Sequence, residues 1–254
     1  MKLDVKLAFQ NIFNSETWKS KFVIYAILMG IVALFPAESI EKHLDNLEKT
    51  NSEIFAATAL VVLIWGLIVF ICGLITQGYN AKYLHNLMIK NDAELLKWEK
   101  VCSLFCYGIK PIIPIVGLII IGSLLLSVFQ NLSLLLSLLF MIVLFIYSGA
   151  LFLTYSQSLK MWDILNIKKA NKYFGKEYFS FLGIMLLSIV IIVVLGGIAG
   201  LVFIPVLAAL PICISLIVTA VIVSALCATY QLWVINMLSQ VHHACIEKIM
   251  DKEE

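Results

Sequence analysis

The chain has 254 residues, of which 62% are hydrophobic and only 13% charged, with a mean hydropathy of +1.01. Soluble domains are about 45–50% apolar and about 25% charged, and a fold of this size could not hide so much apolar surface from water. That excludes a soluble enzyme, a nucleic-acid-binding domain, a disordered tail and a fibrous protein, and leaves an integral membrane protein.

The formal net charge of +2 hides a strong asymmetry. All 18 basic residues are lysine, so the planar guanidinium fork that grips phosphate or carboxylate at two points is absent. No Asp, Glu or Lys occurs from Pro111 to Leu159 or from Tyr178 to Ile246. A spanning helix takes about 20 residues, so each of these stretches holds two spans and a turn. With 17–36 and 54–77 ahead of them, the spans number six, the last four being 111–129, 133–156, 179–204 and 211–232. The expected fold is an all-α integral membrane protein, a single transmembrane domain over 1–254. Its six helices form three hairpins, with cytoplasmic interfacial amphipathic helices.

Lysine placement sets the orientation. Sixteen lysines fall on the side of the two termini, and only Lys42 and Lys49 on the other, in a loop rich in Glu38, Glu41, Asp45, Glu48 and Glu53. Both termini are therefore expected inside a cell (plasma or inner) membrane. A cleaved signal peptide is the competing reading of the first span, but its basic leader would be 21 residues long.

In chain order, Asn14-Ser15-Glu16 offers a helix cap before Trp18, and Asn51-Ser52-Glu53 repeats it before the second span. The outer loop 37–53 carries Ile40, Leu44 and Leu47 at helical spacing. The second span runs inward without a clear stop as far as Asn91. From Asp92 to Gly108, Leu95, Leu96, Trp98, Val101, Leu104 and Phe105 oppose Lys97 and Lys100, which predicts a helix in the inner interface. Pro111 and Pro114 then open the third span. Gln130-Asn131 is a tight turn, and the segment 161–176 repeats the interfacial pattern. Pro205 to Pro211 joins the fifth and sixth spans, and the sixth helix continues inward with Ile235, Leu238, Val241, Cys245 and Ile249 in helical register. Three inner segments, near 5–16, 93–106 and 161–176, each precede a hairpin, which predicts a parallel threefold repeat.

Few residues carry chemistry. The six cysteines lack disulfide or zinc spacing, and His242, His243 and Cys245 point in different directions on a helix. His85 stands alone among polar neighbours and is expected in water. Gly196 and Gly200 form a small-xxx-small pair suited to helix packing. No acid or lysine lies mid-membrane, where ion-coupled carriers keep one. The Ser, Thr, Asn, Gln and Tyr groups inside spans can bond within their own helices. Neither a phosphate loop nor a Ser/His/Asp set is present, so no catalytic site, cofactor or metal is expected.

The string Gly78-Tyr79, Lys82, Asn86, Trp98 and Gly108-Ile109-Lys110 resembles the signature of an uncharacterised prokaryotic membrane family, domain of unknown function 4013. Phe13, Asn14, Ser15, Trp18 and Lys19 are similar to its opening, and Ile167 to Phe181 to its segment before the fifth span. The likeness covers about 10–230; a proline usual before the family's Trp is replaced by Leu96-Lys97. The resemblance implies a six-span bacterial or archaeal membrane protein, makes Gly78, Tyr79, Asn86, Trp98, Gly108 and Lys110 the signature residues to examine, and carries no activity with it.

The sequence thus predicts a non-catalytic structural or accessory component of the cell membrane. Its expected partners are the bilayer, anionic lipids at the inner lysines, and a membrane protein or second copy, with no nucleic acid. The alternative is a transporter or permease-like subunit for a neutral or apolar solute.

Overall fold

A computed structural model describes residues 3–13, 18–33, 52–90, 94–128, 133–208 and 212–250. The outer loop as far as residue 51, the Asn14-Ser15-Glu16 cap and the Gln130-Asn131 turn lie outside the described residues. Among the described residues every regular element is helical. In chain order these are α1 (Val5–Gln10), α2 (Trp18–Ala33), α3 (Ser52–Lys90), α4 (Val101–Val128), α5 (Ser133–Ser158), α6 (Ile167–Asn171), α7 (Lys176–Ala208) and α8 (Ile212–Met250), with 3-10 turns at Trp98–Lys100 and Met161–Leu165.

Three stretches among the described residues are long and apolar enough to cross a membrane: Thr58–Ile89, Lys176–Gly196 and Val218–Glu247. The two longest helices, α3 and α8, have 39 residues each, about 58 Å at 1.5 Å per residue. A hydrocarbon core is about 30 Å thick, so each has a second half to place elsewhere. Burial separates the halves. Leu60, Val61 and Leu63 are 60–67% exposed, whereas Tyr79, Tyr83 and Leu84 are fully buried. In α8, Val221 and Leu226 are exposed, while Leu232, Ile235, Met237 and Val241 are buried. The apolar halves lie bare and the more polar halves form the core, the reverse of a water-soluble fold.

The core is therefore a cap at one end of the long helices. Parts of α1, α2, α5 and α7 pack around the C-terminal halves of α3 and α8, joined by Leu95 and Leu104 from the α3–α4 connection and α4. Asp4 caps α1 by accepting from Leu7 N at 2.9 Å, and two hydrogen bonds between the Asp4 backbone and the Gln240 amide, of 2.7 and 2.9 Å, fasten this short helix to α8. Helix α5 stops at Leu159, which takes a left-handed φ of 55°. Its N–H returns to the Tyr155 carbonyl at 2.7 Å, and its side chain is held in a small cluster with Ala81, Tyr155 and Ile164.

The most extensively packed pair is α3 with α4, and two glycines explain it. A methyl group on Gly78 would sit 1.7 Å from the Leu104 carbonyl oxygen, and one on Gly108 would sit 1.8 Å from the Leu74 carbonyl oxygen. Backbone meets backbone there, which only residues without a side chain permit.

The structure differs from expectation around this crossing. A separate interfacial helix over 92–108 does not form. Helix α4 runs unbroken from Val101 and carries Pro111 and Pro114 in its interior rather than at its start. At Gly108, α4 is packed against the α3 backbone, and the helix continues through the point where the sequence alone reads a boundary. The second interfacial segment is likewise reduced to the Met161–Leu165 turn and the five-residue α6, capped by Asn166 accepting from Lys169 N. Pro205 continues α7, which ends at Ala208, instead of opening a turn.

Replacing Gly108 by Ala forces backbone atoms apart. It should lower stability in detergent by about 2 kcal/mol or more, in the range of overpacked cores. Gly183, with nothing within 4 Å of an added methyl, should accept Ala neutrally or gain up to about 1 kcal/mol from helix propensity. Thermal unfolding of the two variants in one detergent measures the contrast.

Candidate functional site

Most of the signature residues converge on the α3–α4 crossing. Next to Gly78, Tyr79 stacks on Trp98, with ring centroids 4.6 Å apart and planes 19° from parallel. Trp98 sits just ahead of α4, so the crossing sets that distance. Its indole N–H donates to the Lys21 carbonyl at 3.1 Å, which ties α2 to the same point. The Lys21 ammonium, 6% exposed, pairs with Glu94 at 2.6 Å. Tyr25 adds its ring to Tyr79 at 5.1 Å.

Beneath these rings runs a polar chain that crosses three helices. Tyr25 Oη donates to Asn80 Oδ1 at 2.6 Å, and the Asn80 amide reaches Gln231 Oε1 at 3.4 Å. About one turn further along both helices, the Asn236 amide donates to Tyr83 Oη at 3.3 Å and to the Leu232 carbonyl at 2.9 Å. Asn80 and Asn236 are buried, so these bonds satisfy groups that would be costly alone. Sequence reading expected spanning polar groups to bond within their own helices. Thr76, Thr154, Thr219, Ser224 and Thr229 do so, each donating to the carbonyl four residues back. The Asn, Gln and Tyr groups instead join helices. Asn80 and Tyr83, three residues apart, share one face of α3, which is a weak signal, whereas Gln231 and Asn236, five apart on α8, give none.

Pro111 gives a further cross-link its reason. Lacking an N–H, it leaves the Tyr107 carbonyl without its helical donor. The Tyr155 hydroxyl of α5 donates to that carbonyl instead, as a polar group inside a packed fold requires. The Tyr178 hydroxyl of α7 does related work on α5: it accepts from Ala150 N and donates to the Ile146 carbonyl. The ring gets in because Gly149 has no side chain; a methyl there would lie 2.9 Å from the Tyr178 oxygen.

Lys110 and Lys82 both lie over the Tyr107 ring, at 5.0 and 5.5 Å from its centroid. Asn86 is buried, and its Oδ1 has no hydrogen-bond partner; the same holds for Ser156 Oγ and Asn236 Oδ1. Gly196 is not brought to any helix. A methyl there would meet nothing within 4 Å, and the residue is exposed, so the expected packing role finds no support among the described residues. The surroundings of Gly200 lie outside the described residues.

Each histidine among the described residues lies against a polar atom. His85, expected in water, is half-buried, with its Nδ1 2.9 Å from the Ser156 carbonyl. His242 Nδ1 meets Tyr173 Oη at 3.0 Å, while His243 Nε2 turns to the Leu87 carbonyl at 3.1 Å. Burial pushes the Tyr173 phenol up to about 12, with the nearby Cys245 adding to it. At the α5–α6 elbow the Ser158 hydroxyl holds the Asp163 carboxyl below its ordinary range, against partial burial and with help from Lys169 at 3.0 Å. Cys72, Cys102, Cys106, Cys227 and Cys245 are free thiols. No group of three or more metal-ligating side chains occurs among the described residues. No protein family, curated protein or solved structure matches the chain.

Tyr155→Phe should cost about 1–3 kcal/mol, the penalty of a buried carbonyl left unpaired. In a Pro111→Ala background, where the helix regains its own donor, the same substitution should cost less than half as much. A double-mutant cycle by thermal unfolding reads the coupling.

Proposed function

We propose that this chain is a non-catalytic structural or accessory protein of the cell membrane. On this reading it spans the bilayer six times as three hairpins, over 17–36, 54–77, 111–129, 133–156, 179–204 and 211–232, with both termini inside. The carrying observation is how the polar groups inside the fold are used. Tyr25, Asn80, Gln231, Tyr83 and Asn236 pair with one another across helices rather than lining a water-filled path. The cavity described at span depth is lined almost entirely by apolar side chains.

Charge supports the orientation. Lys19, Lys97, Lys100, Lys160, Lys168, Lys172 and Lys176 are all exposed around the inner cap, where each attracts anionic headgroups by about 1 kcal/mol. Bare Leu60, Val61, Leu63, Val193 and Leu195 suit a hydrocarbon solvent. The resemblance to domain of unknown function 4013 agrees with the span number and adds no activity. Transport of a neutral or apolar solute is the second reading, favoured by the span number and by prolines inside α4.

Purified protein in liposomes should leave the flux of small neutral solutes such as glycerol at the protein-free level. A saturable flux would overturn the accessory reading in favour of transport. Cys102 and Cys106 are exposed on the inner end of α4. In intact cells they should resist an impermeant maleimide, and react once the membrane is opened.

A further inference from the structure

We infer that the groove between α2 and α8 seats one acyl chain of an anionic phospholipid from the inner leaflet, with its headgroup held at Lys19. This rests on the membrane-embedded, N-inside reading above. The groove is a cavity of about 470 Å³, lined chiefly by Phe22, Ala26 and Ile27 of α2, Trp65 of α3, and Val221 and Ser224 of α8. Among the described lining residues only Ser224 and the Trp65 indole carry a polar side-chain group, and the Ser224 hydroxyl already donates to the Ala220 carbonyl. Water, which needs two to four polar partners, has little to hold it there.

The shape favours a chain over a helix. The floor is where α2 and α8 touch: a methyl on Gly30 would lie 2.0 Å from Ser224 Oγ. The rim is raised by Val23, Ile27 and Val221, each more than half exposed. A helix about 10 Å across would ride on that rim, whereas an extended hydrocarbon chain reaches the floor.

Charge selects the headgroup. Lys19, Val23, Ala26 and Gly30 follow one stripe of α2, spaced by four, three and four residues. Lys19 stands at the inner end of that stripe, exposed, with no acidic partner among the described residues. Its neighbour Lys21 is buried and neutralised by Glu94. One lysine is thus absorbed into the cap and the other is left at the mouth of the groove.

Trp65 lines the groove and reports on its occupant. The probe is phosphatidylglycerol brominated in its acyl chain, titrated into phosphatidylcholine vesicles holding the full chain. The Trp65 signal is taken as the difference from a Trp65→Phe variant. Quenching should reach its midpoint at a mole fraction about fivefold lower than for brominated phosphatidylcholine, the effect of one lysine at an anionic surface. Lys19→Gln should remove most of that preference, and Ala26→Leu, which fills the groove, should reduce quenching by both lipids. Equal quenching by both headgroups, unchanged in Lys19→Gln, would leave the membrane reading standing and overturn the lipid seat. Protection from both lipids that grows with protein concentration would give the groove to a second copy instead. No quenching at all would place Trp65 outside the hydrocarbon and defeat the membrane reading itself.

Discussion

The contact of Gly78 with the α4 backbone, and of Gly108 with the α3 backbone, is the constraint on which the packed cap depends. Two carbonyls, of Leu74 and Leu104, occupy the space where side chains would stand. With the helix axes that close, Tyr79 and Trp98 meet face to face, Lys82 and Lys110 share the Tyr107 ring, and Trp98 reaches the α2 backbone. Moving α4 outward would break all of these contacts together. In a membrane, where apolar side chains gain nothing by leaving lipid for protein, such close packing and interhelical hydrogen bonds are what hold helices to one another.

The cap also shows how a membrane fold tolerates groups that lipid would penalise. Pro111 removes a donor from α4, and a tyrosine of α5 restores it. Asn80, buried, accepts from Tyr25 and donates to Gln231, and Asn236, also buried, donates to Tyr83 and to the Leu232 carbonyl. The bonds of Tyr25 to Asn80, Asn80 to Gln231, Asn236 to Tyr83 and Tyr155 to the Tyr107 carbonyl run between helices, so the bonds that pay the desolvation penalty also fix helix register. The N-terminal halves of α3 and α8 present Leu60, Val61, Leu63, Val221 and Leu226 outward.

The helices themselves were largely legible in the sequence, because long apolar runs without charge leave little else to form. The inward continuation of α3 to Lys90 and of α8 to Met250 followed from the lack of any stop signal. The crossing was not legible. Gly78 and Gly108 are two of 13 glycines, and nothing local distinguishes them from Gly196, which touches nothing. Pro111 and Pro114 read as a helix start because the compensating Tyr155 lies 44 residues beyond Pro111 in the chain. The interfacial segment ahead of α4 failed for the same reason: a tertiary contact at Gly108 carries the helix through it. The convergence of signature residues on one place came from a resemblance of motif and not from any periodicity.

If the cap rather than the spanning halves holds the fold together, stability should respond to burial at one end of a single helix. Leu84 is fully buried in the C-terminal half of α3 and Leu63 is 67% exposed in its N-terminal half. In the same detergent, Leu84→Ala should cost about 2–5 kcal/mol in thermal unfolding, as cavities in packed cores do, and Leu63→Ala should stay within about 0.5 kcal/mol. Equal losses, or a larger loss at Leu63, would contradict the account.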